Sequence, residues 1–194
     1  MLGFPPAGPG QIVGLFGGSF DPAHDGHAHV AETALRAARL DHLWWVVSAD
    51  HAFKRGQGLF GDRLASARTK ASGPKQVVTD IEARLDVGYS VDLLRALQAR
   101  SGDQVRYVWV MGADALAEFH RWKDWRDIAA RAPILIVSRP GAPFAALKSP
   151  AARALKPYRV RPENAAALVR RGAPGWAFLP APLHTHKSRE MRGI

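Results

Sequence analysis

Along this chain, short apolar blocks alternate with longer stretches in which apolar and polar positions recur at helical spacing. The blocks at 12–16 (Ile-Val-Gly-Leu-Phe), 43–47 (Leu-Trp-Trp-Val-Val), 105–110 (Val-Arg-Tyr-Val-Trp-Val) and 134–137 (Ile-Leu-Ile-Val) are rich in β-branched and aromatic side chains. They are too short for buried helices, so each predicts a strand. Fainter blocks at 76–78 and 176–179 predict two more, and the intervening segments 28–40, 61–72, 91–100, 113–119, 124–131 and 163–171 predict helices. Alternation of this kind predicts an α/β fold, a doubly wound and mainly parallel sheet with helices on both faces. Pro133, Pro140, Pro143 and Pro150 bracket the region after the fourth strong block, so 140–162 reads as a loop-rich excursion, and Pro180 and Pro182 end the last strand.

A length of 194 residues is most simply one domain with a substantial core, spanning 11–194. Residues 1–10 hold three prolines and three glycines and lack a basic region, which predicts a flexible lead rather than a signal peptide. No apolar run approaches the roughly 18 residues needed to cross a bilayer, so no membrane partner is expected. The absence of cysteine excludes a disulfide framework, cysteine-ligated zinc and thiol catalysis, and it fits a cytoplasmic protein. The formal net charge of +10 attracts polyanions. Its carriers are scattered, with local density at 153–171 and 187–192 but no basic tail and no basic stripe interleaved with aromatics. The surplus therefore reads as a solvated surface plus a phosphate site, against a nucleic-acid face. A homo-oligomer remains open.

Chemistry concentrates in residues 17–27, Gly-Gly-Ser-Phe-Asp-Pro-Ala-His-Asp-Gly-His, between the first strand and the first helix. A glycine-opened turn at a strand's carboxyl end, followed by a helix start, is where open α/β sheets bind phosphates. Gly17 and Gly18 would let a ligand approach the backbone and Ser19 would add a hydroxyl, although such a triplet also serves as a plain tight connection. Asp21-Pro22 directs the chain onward, and Asp21 has the alternative of bonding only within its own turn. His24 and His27, three apart at a helix start, fall on one face and can aim at one phosphate where the helix dipole is positive. The alternatives are two ordinary hydrogen-bonded histidines, or a shared zinc site, for which no third ligand stands nearby and no His-Glu-x-x-His pattern exists. His29 reads as solvent-facing or structural.

These residues carry a resemblance. Gly-Ser-Phe-Asp-Pro-x-His-x-Gly-His after a first strand resembles the nucleotidyltransferase superfamily, and within it the bacterial nicotinate-nucleotide adenylyltransferases. The His-x-Gly-His core alone is shared with pantetheine-phosphate adenylyltransferases, cytidylyltransferases and class I aminoacyl-tRNA synthetases. Further stretches narrow the choice: Trp44-Trp45-Val46-Val47-Ser48 with Lys54, Asp80-Ile81-Glu82, Tyr89-Ser90-Val91-Asp92-Leu93-Leu94, Met111-Gly112-Ala113-Asp114, Phe119 to Trp125, and Ile136 to Gly141. The resemblance spans about 11–192 and implies a Rossmann-like fold. One departure lies in Lys187-Ser188-Arg189-Glu190-Met191-Arg192, where an arginine replaces the threonine of the family's Ser-Ser-Thr-x-Ile-Arg.

The resemblance implies that AMP passes from ATP, accompanied by Mg²⁺, to nicotinate mononucleotide, giving deamido-NAD and pyrophosphate. It implies catalytic roles at the phosphates for His24, His27, Ser188 and Arg192, with Lys54 reaching them from a loop. Gly17, Gly18, Ser19 and Phe20 would border the nucleotide, and Asp114 beside Gly112 would bond a ribose hydroxyl unless it serves as an N-cap. The helix start at Tyr89 and Ser90 would accept the nicotinate carboxylate. Trp122 would stack on the pyridine ring, unless Trp122 and Trp125 form one core stripe. The rival readings are an adenylyltransferase for nicotinamide mononucleotide or phosphopantetheine, and a non-catalytic nucleotide- or RNA-binding module. The first pocket histidine and the Phe119 to Trp125 stretch argue against phosphopantetheine.

Overall fold

A computed structural model describes residues 4–49, 58–138 and 144–180. Its centre is a seven-stranded, wholly parallel sheet in the order β3-β2-β1-β4-β5-β7-β6. The strands are β1 (Ile12–Gly18), β2 (His42–Val47), β3 (Gln76–Thr79), β4 (Arg106–Gly112), β5 (Ile134–Val137), β6 (Arg159–Val160) and β7 (Trp176–Leu179). The helices are α1 (Asp25–Ala38), α2 (Phe60–Lys70), α3 (Ile81–Arg84), α4 (Ser90–Ser101), α5 (Ala113–Glu118), α6 (Trp125–Arg131), α7 (Pro150–Ala154) and α8 (Ala165–Arg171). Among the described residues, no helix is long and apolar enough to cross a membrane.

Strand periodicity divides the apolar residues between two cores. Val13, Leu15, Trp44, Val46, Trp109, Met111, Ile134 and Ile136 face α4, α5, α6 and α7. Ile12, Phe16, Leu43, Trp45, Val108, Val110, Leu135 and Val137 face α1, α2 and α8. The central strands are apolar on both sides because both sides are covered, which is the doubly wound architecture read from the sequence. Small residues set the depth of α1: it buries Val30, Ala31, Ala34 and Ala38. A Cβ at Gly14 would stand 2.7 Å from Leu40 Cδ1, so glycine is needed where the chain leaving α1 crosses β1.

Three expectations shift. The region 140–162 is more regular than a loop, holding a 3₁₀ turn at Phe144–Lys148, α7, and the edge strand β6. Ser149 caps α7 through its side chain, so the prolines there start elements as well as end them. α1 begins at Asp25 rather than at 28, which places the second motif histidine inside the helix. The described part of the lead is also not loose. Pro5 is buried, the Arg100 guanidinium lies 4.2 Å from the Phe4 ring centre, and the Gly10 N–H donates to the Gln104 carbonyl at 2.7 Å.

Candidate active site

β1 and β4 run paired only as far as Phe16 beside Val110. Beyond that point Gly17 and Gly18 stay with Val46 and Val47 of β2, while Met111 and Gly112 stay with Ile136 and Val137 of β5. The sheet thus parts at its centre, where the strand order reverses, and the chain leaves β1 and β4 toward opposite faces. In doubly wound sheets this parting at the carboxyl ends is the ligand crevice.

Gly17 and Gly18 are the last residues of β1, not a turn. The bareness of Gly18 answers to an aromatic ring, since a Cβ there would lie 3.0 Å from the Phe20 ring, whereas one at Gly17 would make only an ordinary contact with the Trp109 indole at 3.4 Å. The pairing of β1 with β4 has already ended there, so this stretch of backbone borders the crevice. Phe20 is 1% exposed, with φ of 51°, and its ring meets Phe16, Trp45 and His27 at centroid distances of 5.4, 5.1 and 5.2 Å. Its side chain therefore belongs to the core, and its backbone is what lies at the turn.

The two motif histidines cap α1 reciprocally. His24 is the N-cap, and its Nδ1 accepts the Gly26 N–H at 3.1 Å; His27, at the third helical position, accepts the His24 N–H on its own Nδ1 at 3.2 Å. This is a capping box built from imidazoles. Because each Nδ1 accepts, the neutral ring carries its proton on Nε2, the tautomer that donates to an anion. The rings lie 3.9 Å apart at 34°, and Phe16 and Phe20 back the His27 ring. With each Nδ1 engaged as an acceptor, the ring edge left at Nε2 is a donor, which is chemistry suited to an anion. Asp25 stands between the histidines, but the Lys70 ammonium takes its carboxylate at 2.7 Å and holds its pKa below the ordinary value. The charge that would repel phosphate is thereby balanced.

Sequence reasoning passed over Arg63, the residue that ties these loops together. Arg63 is 1% exposed; its Nε donates to the Gly58 carbonyl at 3.1 Å, and its Nη1 donates to the Ser19 and Ser48 carbonyls at 3.1 and 2.9 Å. One buried guanidinium therefore joins the chain leaving β1 to the chain leaving β2. Asp21 accepts the Gly58 N–H at 2.8 Å, so it bonds beyond its own turn, and buried Glu82 accepts the Ala49 N–H at 3.1 Å. The available signal was spacing: Arg63 lies four residues before buried Ala67 on the inner face of α2.

Across the crevice, Gly112 is the N-cap of α5 and Asp114 is exposed in its first turn. Asp114 is accordingly not the cap. Tyr89 precedes α4 without a side-chain cap, which leaves the amides at Ser90 to other acceptors. Trp125 is 7% exposed and belongs to the core, whereas Trp122 is only half-buried, edge-on to Phe119 at 5.3 Å and to Trp109 at 6.2 Å. Both tryptophans pack on the same core through Phe119, Trp125 within it and Trp122 at its edge with part of its ring accessible. Since Trp109 also underlies Gly17, packed rings connect the end of β1 to Trp122. Lys54, Ser188 and Arg192 lie outside the described residues.

A family model described as cytidylyltransferase-like matches residues 15–184. The chain is 48% identical over 184 residues to a protein of Rhizobium meliloti named probable nicotinate-nucleotide adenylyltransferase, covering 94% of this chain and 97% of that one. It is 45% identical over 191 residues to a protein of the same name from Ruegeria pomeroyi, covering 98% and 89%. The chain belongs to the nicotinate-nucleotide adenylyltransferase family. Among solved structures it is similar to Plasmodium falciparum nicotinic acid mononucleotide adenylyltransferase complexed with NaAD, with a TM-score of 0.65 and 15% identity. That match covers 89% of this chain and 76% of the other, and it bears on the fold. Family membership makes the chain an adenylyltransferase.

Proposed function

We propose that this adenylyltransferase joins ATP and nicotinate mononucleotide inside the β1–β4 crevice. A phosphate oxygen of the mononucleotide attacks the α-phosphorus of ATP, the bond from that phosphorus to the bridging oxygen breaks, and pyrophosphate leaves with the electron pair. The attacking phosphate is already ionised at neutral pH, so no general base or covalent nucleophile is required. The protein's work is alignment and charge neutralisation.

The observation that carries this reading is the imidazole capping box, which fixes both Nδ1 atoms inward and leaves the donor role to Nε2. His24 and His27 would hold the triphosphate together with the backbone of Gly17, Gly18 and Ser19. Lys54, Ser188 and Arg192 join them on the sequence resemblance. Asp114 would take a ribose hydroxyl. Mg²⁺ would accompany ATP as part of the substrate and would supply further neutralisation of phosphate charge beside the donors of His24 and His27. The uncapped start of α4 would receive the nicotinate carboxylate and Trp122 would stack on the ring. A cysteine-free composition supports a cytoplasmic setting.

Pyrophosphate release with ATP and Mg²⁺ tests the proposal. Nicotinate mononucleotide is expected to exceed nicotinamide mononucleotide by roughly tenfold or more in kcat/KM, because the amide lacks the charge that α4 receives. Equal use of acid and amide, preference for phosphopantetheine, or nucleotide binding without pyrophosphate release would each overturn it.

A further inference from the structure

A chain of charges ties the Trp122 segment to the start of α4, and the phosphate chemistry makes no use of it. Asp92, in the first turn of α4, accepts the Lys123 ammonium on Oδ2 at 3.0 Å and the Arg95 guanidinium on Oδ1 at 3.2 Å. Arg95 extends its fork to Asp127 at 2.9 Å and to Asp124 at 3.2 Å, and Arg131 secures Asp127 from the far side at 2.8 Å. The Lys123 ammonium also lies 4.4 Å from the Tyr89 ring centre, directly before Ser90. Each link is a half-exposed pair of the kind that contributes little to stability.

Two features set this chain apart from ordinary surface pairing. Asp124 occupies the N-cap of α6 in the left-handed region, with φ of 46°, yet its side chain does not cap that helix and goes to Arg95 instead. The sequence forgoes a bond that aspartate ordinarily makes at that position and accepts a conformation rare outside glycine. Asp92, in turn, places a negative charge in the same helical turn whose amides are assigned to an incoming carboxylate. Unbalanced, it would repel that ligand.

We propose that Arg95 and Lys123 are specificity-determining positioning residues, which cancel the charge of Asp92 and hold the Trp122 ring in fixed relation to the Ser90 amides. The site thereby selects a pyridine that bears a carboxylate. This inference rests on the reading that nicotinate lies between Ser90 and Trp122. Hydrogen bonding to Arg131, with a further bond to Arg95, keeps the Asp127 carboxyl below its ordinary pKa, and Asp127 raises that of Arg95, so the chain stays ionised at neutral pH.

Steady-state kinetics of the full chain and of Arg95→Met, Lys123→Met and Trp122→Ala, with acid and amide mononucleotides, test it. Arg95→Met and Lys123→Met are expected to raise KM for nicotinate mononucleotide roughly five- to twentyfold and to shrink the acid-over-amide preference by a similar factor. KM for ATP should stay within about twofold and Tm within about 3 °C, as fits exposed pairs. Arg95→Lys, which keeps the charge without the fork, should stay closer to Arg95→Met than to the parent. An unchanged KM for nicotinate mononucleotide, a parallel rise in both KM values, or activity lost only in step with Tm would overturn the inference. Trp122→Ala separates the layers. If it leaves that KM unmoved, the pyridine pocket fails and this inference falls with it; if it raises KM while the charge variants do not, the charge chain alone is wrong.

Discussion

His27 shows how one side chain serves local structure and chemistry together. Its Nδ1 completes the capping box, its ring rests on Phe16 and Phe20, and its Nε2 carries the donor proton. His27→Ala is expected to lower kcat roughly a hundred- to a thousandfold, since a lost donor to developing charge is felt most in the transition state. The variant should unfold within a few degrees of the parent, because a lost helix cap costs about 1 kcal/mol. Near-normal turnover in a folded variant would remove His27 from the phosphate site. Its pairing with His24 was legible from their spacing, but its tautomer was not, because that depends on which amide each ring nitrogen meets. The place of Phe20 in the motif is visible in the sequence, whereas the burial of its ring depends on Gly18 making room for it.

At the scale of elements, the crevice depends on ties between segments distant in sequence. Arg63 on α2 holds carbonyls that follow β1 and β2, and no pairwise pattern in the sequence links residue 63 to residues 19 and 48. Arg63→Met keeps much of the side-chain volume but deprives three carbonyls of a donor. It is expected to lower stability by about 2–4 kcal/mol in urea unfolding. It should also raise KM for ATP, because the loop beginning at Ser19 loses its anchor; an ATP KM equal to the parent's would confine Arg63 to a stability role. The elements themselves were mostly readable, since each strong apolar block became a strand. The exceptions, β6, α3 and α7, hold 2, 4 and 5 residues. At that length periodicity carries no information, and partners decide the conformation.

For the molecule as a whole, paired carboxylates shape the response to acid. The folded-state pKa of Asp127 lies below the ordinary 3.8, chiefly through its hydrogen bond to Arg131, and that of Asp25 lies below the same value through Lys70. A depressed carboxyl pKa contributes stability that is present above the unfolded value and is lost as pH falls through the folded one. Asp127→Asn should therefore lower Tm at pH 7 by roughly 2 °C, a small effect because the pair is partly exposed. The gap should close as pH drops below about 3.8. A gap of constant size down to pH 2 would assign the loss to packing rather than charge.

Local pattern by itself determined the fold class, because strand length and helical period are properties of neighbours in the chain, and the family was reached through the resemblance of several motif stretches together. Tertiary structure decided where the sheet parts, which glycine answers to a ring, how deeply each tryptophan is buried, and which arginines tie the loops and helices around the crevice. Those outcomes depend on contacts between residues tens of positions apart, and only the closed sheet brings such residues within hydrogen-bonding range.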